Sequence, residues 1–289
     1  LIAEGGTVII TAAAARDAVE AAVSVGGVVE AASARVDGGT IVLDGGAGDV
    51  VVTGRLDASG GAGNRGGRVD VTGGTVRLAE GARIDVSGGT GGGAVRVGGS
   101  GPAPGGLRAA EVTVMEAGAE IRADAEVAGD GGEVTLWSTA ATWMGGRIAA
   151  RGGAAGGDGG FAEISSLGAL GFSGRVDLSA PRGSAGLLLL DPRDVRIVAE
   201  DEDAYAFSGD ILVDQFAGED LVVLASAIST SFADVRIEAS RDISVEAGIA
   251  NRRPNVDLTL SAGRDLLLGA SIVMRGTLTL TADAGFASQ

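Results

Sequence analysis

The stretch GGRVDVTGGTVRLAEGARIDVSGG, Gly66 to Gly89, holds three short pieces in which apolar and polar residues alternate, separated by small glycine-containing turns. An apolar period of two marks a strand with one buried face. Antiparallel hairpins would reverse the chain at every two-residue turn. Here the pieces instead recur in the same order along the chain. GGRVDV at Gly66 is preceded by GGTIVL at Gly38 and followed by GGAVRV at Gly92, GGEVTL at Gly131 and GGFAEI at Gly159, in steps of 28, 26, 39 and 28 residues. A second pattern runs in phase: GRLDASG at Gly54, ARIDVSG at Ala82, AEIRADA at Ala119, GRIAARG at Gly146 and GRVDLSA at Gly174.

A unit of that length with three strands and a fixed order suits a coil that returns on itself. The fold expected is therefore all-β, a parallel β-helix solenoid in which inward residues stack from coil to coil. Ile41, Val69, Val95, Val134 and Ala162 form one column, and Leu43, Val71, Val97, Leu136 and Ile164 the next. Leu56, Ile84, Ile121, Ile148 and Val176 form a third. Glycine pairs mark corners that need positive φ or close backbone approach. About eleven coils at ~4.8 Å each give a rod on the order of 55 Å.

The stretch GGSGPAPGGLRAA, Gly98 to Ala110, reads as an insertion looping from one corner, and TAAAARDAVEAAVS, Thr11 to Ser24, as a short helical insertion near the N-terminus. Residues 1–190 read as regular coils with corner insertions. A soft subdivision falls near Asp191, after which residues 191–289 continue the stack with shorter, less regular coils. Outward positions such as Asp70, Arg96 and Thr135, or Asp57, Asp85 and Arg122, mix signs and read as a solvated face rather than an ion ladder.

Composition agrees with this reading and narrows the chemistry. Of 289 residues, 45% are hydrophobic but only 3% aromatic, so the core is aliphatic. The five prolines fall outside the alternating runs, as strand ladders require. A net charge of −16 would repel nucleic acid and anionic membrane surfaces over most of the surface, and no nucleic-acid partner is expected. The strongest apolar run, Leu187 to Leu190, is far too short to cross a bilayer, no signal peptide opens the chain, and no membrane insertion is expected.

The chain has no Cys, no His and no Lys, and all 22 basic residues are Arg. Thiolate and nucleophile-plus-His mechanisms are thereby excluded. Asp57 and Asp85, about 5 Å apart on neighbouring coils, have the separation of a retaining glycosidase pair, but any β-helix with outward acids produces such pairs by geometry alone. No enzyme activity, catalytic residue, cofactor or metal is expected. Gly61, Gly63 and Gly66 of GAGNRG have G-x-G-x-x-G spacing, yet a strand rather than a helix should follow, so they read as corner glycines. GGAGDV from Gly45 places Asp49 one position early for a calcium-binding glycine repeat. The acidic run Glu200, Asp201, Glu202 and Asp203 reads as a solvated loop before a cation site. Trp137, Trp143 and Tyr205 are the candidate glycan contacts; Trp137 should face outward near the Gly98 insertion, where packing beneath that loop is the favoured reading because large aromatics are usually covered. NRRPN, Asn251 to Asn255, reads as a basic corner.

Six segments together, GGTVIITAAAARDAVEA, GTIVLDGG, GRLDASG, GGDGGFAEISS, GRVDLSAP and AGLLLLDPRDVRIV, resemble the filamentous haemagglutinin and high-molecular-weight adhesin exoproteins of two-partner secretion, in the right order over nearly the whole chain. The resemblance implies a right-handed parallel β-helix, extracellular at the cell surface of a Gram-negative bacterium and acting in adhesion or biofilm cohesion. It also implies passage through an outer-membrane secretion pore during export. The asparagine-rich secretion motif of the family is not seen, so the expectation is a structural shaft segment whose partners are host or neighbouring-cell surface glycans or proteins. A carbohydrate-binding β-helix module is the alternative, and a polysaccharide lyase or hydrolase the third reading. Val8 and Ile10 at one end, and Leu278 and Leu280 at the other, lie on pieces that still alternate, so both ends are expected to be open edges that allow end-to-end self-association.

Overall fold

The computed structural model describes residues 7–11, 23–25, 28–30, 39–101, 106–199 and 221–284. The chain is a parallel β-helix: every strand pair is parallel, and each coil contributes one strand to each of up to three sides. Side one is a ten-stranded sheet that runs from Thr7–Thr11 to Leu278–Thr281. Sides two and three are six-stranded sheets ending at Ala169–Phe172 and Arg175–Asp177. Side one therefore counts ten rungs among the described residues, against the eleven or so expected, and Leu187–Asp191 pairs directly with Asp234–Ala239.

The three expected columns are the observed register. Val95 pairs with Val69 below and Val134 above, and Ile121 with Ile84 and Ile148. All of these side chains are buried. The inward column of side two includes Thr113 and Thr142, whose hydroxyls donate to the carbonyls of Trp137 (3.0 Å) and Ser165 (2.8 Å), so neither is an unsatisfied polar group in the core.

The glycine pairs explain how each coil closes. Leaving side three, the chain makes a loop excursion and returns through the pair to side one. The second glycine donates its N–H back across the neck of that loop: Gly67 to Ala58 O (2.8 Å), Gly93 to Val86 O (2.8 Å), Gly132 to Ala123 O (2.7 Å) and Gly160 to Ala150 O (2.8 Å). A Cβ on Gly132 would collide with the carbonyl of Gly93 one rung below, and one on Gly160 with that of Gly132. None of these pairs has positive φ, so they are glycine for close backbone approach and not for turn geometry.

Further insertions use the same economy of a tied neck. The Gly98 to Ala110 loop leaves and returns at one corner, fastened by Ala110 N–H to Gly98 O at 2.6 Å. The expected helix over Thr11 to Ser24 lies largely outside the described residues, and its two ends are strand: Thr11 closes the Thr7–Thr11 strand and Ser24 lies in Val23–Val25.

The subdivision near Asp191 is where the sides change. Side one continues, but the strand Val195–Val198 begins a new sheet on side two. The chain then returns at Leu221–Leu224, which pairs with Val195–Val198 and packs against Ala169–Phe172, filling the rung between them. On side three the next element is not a strand but helix α1, Ala225–Ser229, followed by the short sheet of Ile249–Asn251 and Ile272–Met274. Later coils are shorter: Val235 pairs with Leu258, and Leu258 with Leu278. Leu278 and Leu280, inward in register, are each 37% exposed, since no described strand lies beyond them.

The neck makes a sharp contrast between two glycines. Gly132→Ala is expected to destabilise the chain by on the order of 2 kcal/mol or more, because backbone on an adjacent rung must move. Gly63→Ala, where a Cβ meets no atom within 4 Å, is expected to stay within about 0.5 kcal/mol of wild type. Urea denaturation of both variants checks the ranking.

Candidate functional site

The outward faces carry most of the chain's polar chemistry, and the structure corrects the expectation of a merely solvated surface. Stacking at the rung spacing sets an acid of one coil beside an arginine of the next, and the pairs engage. Asp70 accepts from Arg68 Nε at 2.8 Å on its own coil and from Arg96 on the next, Nε at 2.8 Å and Nη2 at 2.9 Å. Asp124 accepts from Arg151 Nε (3.1 Å), Nη2 (2.8 Å) and backbone N–H (2.9 Å) on the following coil, with Arg122 on its other flank. Arg77 reaches Glu116, and Arg55 ties Asp57 to Asp85. These are rung-to-rung ties.

The acid pair Asp57 and Asp85 is part of that system. Each accepts the N–H of the serine two residues on, Ser59 and Ser87, at 3.0 Å, and the same Asp-x-Ser turn recurs at Asp177 and Ser179. Burial pushes the Asp57 carboxyl up, but hydrogen bonds from Ser59 and Arg55 outweigh it and hold the group below the usual carboxylate range. A general acid in glycoside cleavage needs the opposite shift.

Of the aromatic candidates, Trp137 follows the packing reading rather than the glycan-contact one. Trp137 points outward in register but is only 4% exposed, because the Gly98 insertion folds over it: a side chain on Gly99 would sit 3.2 Å from its Cε3. Trp143, 6% exposed, lies across Gly171, its register partner on the next rung, and packs with Val112 and Val114. As they stand, neither indole offers a ring face to a sugar. Tyr205 and the acidic run Glu200 to Asp203 lie outside the described residues. Gly61, Gly63 and Gly66 sit in a corner followed by the strand Arg68–Thr72, as the corner reading requires. Among the described residues no group of three or more acids is placed to hold a metal ion.

Among the described residues, two concave places stand out. A groove of about 650 Å³ follows the glycine pairs along the stack, floored by their backbone and rimmed by Arg65, Asp130, Glu133 and Phe161. The second, of about 540 Å³, opens where side three changes from strand to α1, and sequence reasoning missed it. The signal available was the end of the third column at Val176, with no aliphatic successor in the repeat pattern.

No protein-family model matches the chain, and a search of curated proteins returned no significant match.

The ion ties give a pH test. At Asp124 burial pushes the carboxyl up, but hydrogen bonds from the Arg151 side chain and backbone, with the charges of Arg151 and Arg122, outweigh it and hold the group low. At Asp70 burial wins over Arg68, and the carboxyl sits high. A depressed acid contributes stability above its unfolded pKa of ~3.9, and that share is lost as pH falls through the folded value. A raised acid does the reverse, so ionised Asp70 costs the fold. Asp124→Asn is therefore expected to lose about 1–3 kcal/mol at pH 7, and Asp70→Asn less. In urea titrations from pH 7 to pH 2 the gap between wild type and Asp124→Asn should close at the acid end.

Proposed function

We propose that this chain is a shaft segment of a secreted bacterial surface adhesin, a rigid spacer that carries its corner loops away from the cell and serves adhesion or biofilm cohesion. The observation that carries the reading is the uninterrupted ten-stranded parallel ladder of side one, which continues through every insertion and through the change at Asp191. A stack whose length grows by ~4.8 Å per coil is suited to spanning distance. Loops tied at their necks can vary without disturbing it. The resemblance to two-partner secretion exoproteins supplies the biological setting: export unfolded through an outer-membrane pore, then folding outside. Absence of cysteine is compatible with that route, since no disulfide has to be made or avoided on the way.

On this reading the partners are glycans or proteins of host or neighbouring cells, met by the loops. A second reading, a carbohydrate-binding module, is favoured by the groove along the glycine corner, where Phe161 is a half-buried ring beside Arg65, Asp130 and Glu133. Such a groove could follow a linear polymer along the rod axis.

The test is made on intact cells that express the full gene product. Protease shaving and immunogold labelling should find this segment outside the cell, and excision of a whole coil should shorten the surface projection by ~4.8 Å while lowering cell attachment. Retention inside the cell, or attachment indifferent to loss of the segment, would overturn the shaft reading. A glycan array on which wild type binds and Phe161→Ala does not would favour the second.

A further inference from the structure

The cleft beside α1 exists because a column ends. Ile148 and Val176 lie inward on the last two strands of side three, and Arg175–Asp177 is the edge of its sheet. The next element on that side is a helix, which cannot continue the ladder and stands off from it. The space between is floored by Phe172, Leu188, Leu190, Val223 and Ile228, and Phe232 sits at its mouth, 48% exposed.

The polar groups around this apolar floor are unbalanced. Arg147, Arg175 and Arg253 line the cleft against a single carboxylate, Asp177, a surplus of two positive charges in a chain whose net charge is −16. Asp177 is already engaged: it accepts from the N–H and the hydroxyl of Ser179, at 3.2 and 2.7 Å, and faces Arg147 at 4.0 Å. Among the described residues no carboxylate pairs with Arg175 or Arg253. The Arg253 guanidinium lies 3.7 Å over the Phe232 ring, with its Nε buried and without an acceptor.

Arg253 is held there by the fold. Its backbone N–H donates to Asn251 Oδ1 at 3.0 Å, and Asn251 Nδ2 in turn donates to the carbonyls of Ile228 (3.0 Å) and Ser231 (3.2 Å), which fastens the corner to α1. A desolvated donor without a partner is costly, and a carboxylate is the acceptor that suits a guanidinium best.

We propose that this cleft binds a small amphipathic anion, a carboxylate on an apolar chain, with the carboxylate between Arg175 and Arg253 and the apolar body on the Phe172, Leu188 and Val223 floor. A volume of about 540 Å³ is within the range of small-molecule sites. The surplus charge selects against cations, and the floor selects against small hydrophilic anions, which would leave it wet.

Calorimetric titration with decanoate, decanol and decyltrimethylammonium tests the site. Decanoate should bind at one site per chain, at least tenfold more tightly than either comparator. Arg175→Ala and Arg253→Ala should each weaken it about tenfold or more, and Ser226→Trp, at an exposed position on the cleft wall, should abolish it. Arg175 and Ser226 are both exposed, so those two variants keep the test sound even if Arg253→Ala disturbs the corner. Leu267→Ser with Leu268→Ser, at exposed leucines outside the cleft, should leave decanoate binding intact. Absence of saturable binding, equal binding of decanol, survival of binding in Arg175→Ala and Ser226→Trp, or its loss in the Leu267 and Leu268 variant would overturn the proposal.

Discussion

The coil closes only because two backbones touch at the glycine corner. Where the chain passes from side three back to side one, Gly93, Gly132 and Gly160, each the second glycine of its pair, lie against the carbonyl of the counterpart one rung below, with no room for a Cβ. From that position the N–H of each reaches across the loop neck to the carbonyl of the residue just after the side-three strand. One contact therefore does two things: it sets the distance between successive rungs at the corner, and it separates the loop from the coil. Loop sequence and length can then change from coil to coil while the strands keep their register.

With the corner fixed, the side chains have restricted choices. Inward positions are filled mostly by stacked aliphatics, with the hydrogen-bonded Thr113 and Thr142 on side two, which suits a core with very few aromatic rings. Outward positions meet a neighbour at the rung spacing, and the arginine and aspartate side chains tie coil to coil there. Exposed pairs of this sort are each worth little, so Asp124, nearly fully buried and fastened by Arg151 through three donors, matters more than the others. Where the stacking rule lapses, at the end of the Val176 column, the structure changes character: a helix replaces a strand and a cleft with unpaired arginines opens.

Much of the fold was legible in the sequence because one rule repeats. The period of two gave the strands, and the recurrence of GGTIVL, GGRVDV and GGAVRV in fixed order gave the coil and its columns, since a slip of one residue would turn Val69 or Val95 outward. Less was legible where contacts are not periodic. Nothing local in EVTLW says that the Gly98 insertion covers Trp137, and nothing in TWM says that Trp143 lies over Gly171. The arginine ties were missed because the stacked outward positions mix signs, Asp57 lying on Asp85 and Arg96 on Thr135, while Asp124 and Arg151 lie just beyond the ends of their strands, outside the columns the repeat pattern defines. The Leu221–Leu224 strand, which fills a rung beneath the strand preceding it in the chain, breaks the sequential order on which the repeat reading depended.

Native-state hydrogen exchange at the glycine necks tests the central claim most directly. If each coil is closed by backbone contact at its pair, the amides of Gly93, Gly132 and Gly160 should exchange as slowly as ladder amides such as that of Val134, and only through opening of the stack. The loop amide of Gly63 should exchange freely. Neck amides that exchange as fast as Gly63 while the ladder stays protected would show that the coils are held by their side-chain columns alone, and would contradict this account.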